Sequence, residues 1–87
     1  MTKRVRWSDK AMSDRQGFFE ANVENETMAF AKKDDKKIMK GVDTIKNNNR
    51  IGRDDLHPGG FLYKLPLRYK ILYRLEDEYI SIERVFY

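Results

Sequence analysis

Residues 69–87 read YKILYRLEDEYISIERVFY, and their alternation restricts what the chain can become. Tyr69, Ile71, Tyr73 and Leu75 occupy every second position, the period of a strand with one buried face. Ile80 and Ile82 repeat the period beyond Asp77-Glu78, which reads as a two-residue turn. That turn pairs Tyr73 with Ile82, Leu75 with Ile80 and Tyr69 with Phe86. One face then carries Tyr69, Ile71, Tyr73, Leu75, Ile80, Ile82 and Phe86. The other carries Lys70, Leu72, Arg74, Ser81, Glu83, Val85 and Tyr87. A slip of one residue mixes the two sets, so the apolar pattern selects this register. Its cost is that Arg84 joins the apolar face near the open end.

A lone hairpin does not hold itself together in water, so something must cover that face. The earlier sequence offers two helices. Val5 and Trp7 alternate with Arg4 and Arg6 as a short strand. Ser8 then stands as an N-cap with Asp9 in the first turn. Ala11, Met12, Phe18, Phe19 and Val23 place one apolar stripe on a helix over about 9–23. Asn25 is expected to cap a second helix, in which Met28, Ala31, Ile38, Val42 and Ile45 form the stripe. Its lysines and aspartates fall on the other side, with local pairs such as Asp34–Lys37 and Asp35–Lys36. Gly41 weakens that helix by about 1 kcal/mol unless a neighbour must come close there. Asn47-Asn48-Asn49 ends it. Strand-like segments follow at Phe61–Leu67, Tyr69–Leu75 and Tyr79–Tyr87. The expected fold is α+β, in the order β-α-α-β-β-β: a small, mainly antiparallel sheet packed against a helical hairpin. At 87 residues this is a single domain, 1–87, able to bury only about 60–65% of its unfolded surface.

The absence of cysteine excludes disulfides, thiolate zinc sites and cysteine nucleophiles, and favours an intracellular, cytoplasmic setting. No run is apolar enough for a membrane span or a signal peptide. Net charge is +4, and its placement matters more than its size. Between Leu56 and Leu75 lie Lys64, Arg68, Lys70 and Arg74 without one acidic residue. Such a patch suits a polyanion or an acidic protein. The lysines from Lys32 to Lys40 read instead as a solvated helix face.

Four stretches resemble the RelE/ParE superfamily of toxins from bacterial type II toxin–antitoxin systems. VRWSDKAMSD is similar to its opening strand and helix start. NNNRIGRDDLHPGG resembles the ParE-branch segment in which Ile-Gly-Arg precedes an acidic-apolar pair and Pro-Gly. YKLPLRYKILYRL is similar to the third and fourth core segments. DEYISIERVFY resembles the closing strand, with Tyr87 where the ParE branch usually has histidine.

The resemblance implies a growth-inhibiting toxin with two partners: a cognate antitoxin, and DNA gyrase, which it poisons by binding. It implies no cofactor and no metal. Lys64, Arg68, Lys70, Arg74 and Tyr87 are the expected target-binding surface. Trp7, Phe18 and Phe19 are the expected antitoxin contacts, otherwise core. The alternative is a RelE-like ribonuclease that cleaves messenger RNA on the ribosome, for which Lys64, Lys70, Arg84 and Tyr87 would supply the catalytic groups. Pro66 stands where that branch can carry another lysine. A third reading, a nucleic-acid-binding module, is disfavoured because the register turns Tyr69 and Tyr73 away from Lys70 and Arg74. His57, Asp54 and Asp55 read as loop residues, and Arg53 as a local ion pair or partner contact.

Overall fold

The computed structural model describes residues 3–54, 59–66 and 68–87. His57 and Asp55 lie outside the described residues, as does Leu67. Strand β1 (Arg4–Trp7) leads into helix α1 (Asp9–Asn25). The Ser8 hydroxyl caps α1 by accepting the Ala11 N–H at 3.0 Å. The second cap is Thr27 rather than Asn25, which still belongs to α1. Thr27 has the extended backbone that a cap requires, and its hydroxyl accepts from Phe30 N–H at the start of α2 (Met28–Asn47). Strand β2 (Phe61–Lys64) is shorter than expected. Leu65 N–H already turns back to the Tyr69 carbonyl, and Pro66 has no N–H to extend a ladder. Strands β3 (Lys70–Leu75) and β4 (Tyr79–Phe86) form the hairpin around Asp77-Glu78.

The sheet runs β1-β4-β3-β2, with β1 parallel to β4 and the other pairs antiparallel. Tyr73 pairs with Ile82 and Leu75 with Ile80, as the hydrophobic pattern requires. Beyond that point the expected register fails. Leu72 faces Arg84, Ile71 faces Val85 and Lys70 faces Phe86, so Glu83 is an extra residue in β4. This β-bulge reverses the parity of everything after it. Val85 moves onto the core face, where it is 1% exposed, and Arg84 leaves it.

Helix α1 fastens the bulge from below. Asp14 accepts two hydrogen bonds from the Arg84 guanidinium, at 2.7 and 3.0 Å, and a third from Val85 N–H at 2.9 Å. The Ser8 hydroxyl donates to the Glu83 carbonyl at 2.7 Å. The Arg84 hydrogen bond holds the Asp14 carboxyl below its ordinary 3.8, against the opposing effect of its partial burial.

The core joins Ala11, Ile38, Val42 and Ile45 of the helices to Tyr69, Ile71, Tyr73, Ile80, Ile82 and Val85 of the sheet. Met28 falls outside it, half exposed. Asp34, expected on the solvated face, is instead 1% exposed and sits in the core-facing row of α2. It accepts hydrogen bonds from the Tyr69 hydroxyl and from Asn22 Nδ2 (2.9 Å), with Arg68 at 3.5 Å and Lys37 at 3.7 Å. A buried carboxylate is tolerable only with such partners. Asp35 pairs with Arg15 of α1 rather than with Lys36. Gly41 is required by contact: a Cβ there would lie 2.8–3.0 Å from the Leu65 side chain.

The Tyr73 hydroxyl donates to the Asn49 carbonyl at 2.7 Å and accepts Gly52 N–H at 3.0 Å. A side chain at position 52 would press on that ring, which accounts for the glycine between Ile51 and Arg53. Arg53 and Leu62 then exchange backbone hydrogen bonds, fastening this segment along β2.

Two stability measurements test these contacts. Asp14→Ala is expected to cost about 1–3 kcal/mol in denaturant unfolding, and Asp14→Asn less, because an amide oxygen can still accept from Val85 N–H. Asp14's folded pKa is depressed, so its contribution is complete above 3.8 and lost as pH falls through the lower folded value. The gap between wild type and Asp14→Asn therefore closes in acid. Tyr69 behaves oppositely: burial and the Asp34 carboxylate push its hydroxyl up to about 12 from 10.0. Its contribution is complete below 10.0 and lost as pH rises through about 12. Tyr69→Phe should reduce this alkaline loss in pH-dependent unfolding, leaving the part due to Tyr73, which burial also raises.

Candidate target-binding surface

Alternation along each strand sends one set of side chains to the helices and the other to the opposite face of the sheet. On that outer face Lys64 stands directly opposite Lys70, and Lys70 opposite Phe86. The next row is Leu62, Leu72 and Arg84, and the next contains Arg74, Ser81 and Arg6. Leu62, Leu72 and Phe86 are partly buried, so the face is an apolar strip bordered by cations.

Those cations are of two kinds. Lys64 and Lys70 have no ion pair among the described residues, and like charges facing each other across strands are unfavourable. The arginines are held. Arg74 donates to Glu83 and to the Gly59 carbonyl, both at 3.0 Å. Gly59 has φ +76°, and a side chain there would collide with the Arg74 guanidinium. Arg6 lies 3.9 Å above the Tyr79 ring, with Glu76 at 3.9 Å. Arg84 is bound to Asp14 and lies 5.3 Å from the centre of the Phe86 ring.

Tyr87 does not share the Lys70–Arg74 face, contrary to the sequence reading. The bulge at Glu83 shifts its parity, and it packs on the helical side. Its ring meets Tyr69 edge-on at 5.9 Å and Phe18 at 6.3 Å, while Phe18 and Tyr69 are 5.1 Å apart. Arg68 is also on this side, its guanidinium 5.1 Å from the Tyr87 ring and 5.7 Å from Phe30. Tyr87 remains 64% exposed. The residues named for a nuclease are therefore distributed over two faces: Lys64 and Lys70 on one, Tyr87 on the other, with Arg84 engaged by Asp14.

Trp7 packs partly buried against the core, beneath the Arg15 guanidinium at 5.3 Å. Phe18 belongs to the Tyr69–Tyr87 cluster. Phe19 lines a surface hollow of about 290 Å³ with Met12, Arg15, Gln16 and Asp35. Phe18 and Phe19 also border a common space with Arg15, whose guanidinium lies over Trp7, so the three aromatic residues are neighbours around Arg15. A second hollow of about 270 Å³ lies between α2 and β2, lined by Lys37, Lys40, Gly41, Thr44, Tyr63, Leu65 and Pro66. Sequence reasoning missed it, although Gly41 in mid-helix signalled the close approach beside it. Among the described residues no cluster of three His, Asp or Glu side chains could hold a metal ion. No helix among them is long and apolar enough to cross a membrane.

Comparison with known proteins bears on this arrangement. Residues 5–87 match the family described as the ParE toxin of the type II toxin–antitoxin system parDE. The fold is similar to that of the chromosomal ParDE system from P. aeruginosa, with a TM-score of 0.85, 22% identity, and 97% of this chain and 94% of that one covered. It is also similar to the YoeB dimer from Staphylococcus aureus, with a TM-score of 0.66, 18% identity and coverage of 100% and 98%. The RelBE2 toxin–antitoxin complex from Mycobacterium tuberculosis gives a TM-score of 0.60, 19% identity and coverage of 98% and 96%. No curated protein sequence matches. With almost its whole length matched and the same arrangement of two helices on a four-stranded sheet, the chain belongs to the ParE toxin family, within the RelE/ParE superfamily of toxin–antitoxin toxins.

Proposed function

We propose that this toxin inhibits growth by binding DNA gyrase, without chemistry of its own, and that a cognate antitoxin silences it. The observation that carries the reading is the outer sheet face, where Lys64 and Lys70 oppose each other beside Leu62, Leu72 and Phe86, with no ion pair among the described residues. A folded protein that leaves two like charges facing each other gains when an acidic surface covers them. Lys64 and Lys70 make the primary contact. Arg74, already engaged by Glu83 and Gly59, contributes field and shape. Arg68 and Tyr87 lie on the helical side and form a separate part of the expected surface.

The ribonuclease reading is favoured by one specific observation, the exposed Tyr87 ring beside Arg68. It lacks convergence, because general acid–base cleavage needs its groups around one phosphate. The same purified protein, assayed for inhibition of gyrase supercoiling and for cleavage of ribosome-bound messenger, separates the two. Gyrase inhibition without cleavage is expected; cleavage with gyrase unaffected would overturn the proposal. Lys64→Ala with Lys70→Ala is expected to weaken gyrase inhibition by about tenfold or more while thermal stability is unchanged or slightly higher. Tyr87→Phe should leave inhibition nearly intact, whereas a tyrosine acting in cleavage would lose most of its activity with its hydroxyl.

A further inference from the structure

Residues 32–40 carry five lysines and two aspartates, and spacing alone pairs Asp34 with Lys37 and Asp35 with Lys36. The fold diverts both carboxylates. Asp34 is buried against Tyr69 and Asn22, with Arg68 and Lys37 at its margin. Asp35 is taken across the helical hairpin by Arg15. Lys32, Lys33, Lys36 and Lys40 are left exposed, and they make no ion pair among the described residues.

The helix brings these four together. α2 turns Ala31, Asp34, Ile38, Gly41, Val42 and Ile45 inward. At 3.6 residues per turn, Lys32, Lys33, Lys36 and Lys40 then share the opposite side, where Asp43 is the one carboxylate that α2 adds. Lys36 stands four residues from both Lys32 and Lys40, the spacing at which like charges on a helix repel. A lysine stripe whose counter-charges have been withdrawn gains when a polyanion lies over it.

The residue types on the stripe decide between polyanions. Protein interfaces are depleted in lysine and held by aromatic or arginine anchors. No such anchor stands among these lysines, whereas the outer sheet face has Leu62, Leu72 and Phe86 between its cations. Lysines are hydrated point charges on flexible stems, and attraction to a phosphate backbone asks for no fixed geometry.

We propose that the outer side of α2, through Lys32, Lys33, Lys36 and Lys40, binds the phosphodiester backbone of nucleic acid without sequence preference. This surface is turned away from the core and is separate from the outer sheet face, so nucleic acid and a protein target can be held at once. It also differs from a strand-borne nucleic-acid site, which the inward-facing Tyr69 and Tyr73 disfavour. It does not rest on gyrase being the protein target.

The test is fluorescence anisotropy of the chain without antitoxin, using a labelled DNA duplex of about 20 base pairs and an RNA duplex of equal length, between about 50 and 200 mM salt. Binding should be of micromolar order at the lowest salt. For four phosphate contacts, log K should fall against log salt with a slope of about −3 to −4. Lys33→Gln, Lys36→Gln and Lys40→Gln together keep helix propensity, so the triple variant should fold as stably as the wild type. It should bind at least about tenfold more weakly, and its slope should be shallower by about 3. Asp43→Asn should bind about twofold more tightly. Equal binding of both duplexes supports backbone recognition, and preference for one also supports it and names the nucleic acid. Absence of binding at about 50 mM salt overturns the proposal, as does a triple variant that binds like the wild type. Loss of binding in Lys64→Ala with Lys70→Ala, while the triple variant still binds, puts the polyanion on the sheet, against the proposal. A polyglutamate peptide that competes with the DNA charge for charge assigns α2 to an acidic protein, also against it. Failure of gyrase inhibition would overturn the proposed function and leave this binding measurement standing.

Discussion

Asp14 holds two parts of the last strand at once, the Arg84 guanidinium and the Val85 N–H. Because these belong to consecutive residues just after the extra Glu83, a single carboxylate fixes both the place of the bulge and its direction. Ser8 takes the carbonyl of Glu83 itself while capping α1. The start of α1 thus sets the register of β4, and β4 in turn sets which side chains the sheet shows on each face. Val85 in the core, Lys70 beside Phe86 and Tyr87 on Tyr69 all follow from this attachment.

The charges divide along a related line. Arg15, Arg68, Arg74 and Arg84 each reach a carboxylate within the domain, and their planar guanidinium groups suit such fixed, multiply bonded positions. The lysines at 64 and 70 make no ion pair among the described residues. A domain with +4 net charge can therefore be internally well neutralised and still carry a concentrated positive patch. Asp34 shows the converse case. Its burial is compatible with folding because Tyr69, Asn22, Arg68 and Lys37 share the carboxylate, and that sharing ties α1, α2 and the residues leading into β3 to one another.

Much of this was legible from residue pattern. The period of two fixed the hairpin from Tyr73 to Ile82, and the helical stripes placed Ile38, Val42 and Ile45 in the core. Ser8 announced its own cap. What failed had a physical cause in each case. Regular alternation required Arg84 among apolar side chains, and the chain resolves that conflict by adding a residue, which shifts the positions of Phe86 and Tyr87 with it. The misfit was visible; its solution depended on Asp14, seventy positions away. Asp34 was assigned to solvent because an aspartate among lysines reads as a surface residue, and its partners Tyr69 and Asn22 are distant in sequence. The unneutralised lysine pair was half legible. Lys64 and Lys70 were named, but their direct opposition depends on where β2 stops before Pro66.

The order of the strands has a consequence for how the protein comes into being. β4 is the last of the described elements in the chain, yet it lies inside the sheet, between β1 and β3. The first strand therefore has no partner until the ribosome has synthesised the last one. α1 and α2 can form their turns earlier, but the sheet cannot be completed piecemeal from the N-terminus, and its long-range pairing makes it slow to assemble. A chain broken off anywhere before Tyr79 lacks the strand that joins β1 to the β2–β3 pair. This topology ties completion of the sheet to the synthesis of Tyr79–Phe86.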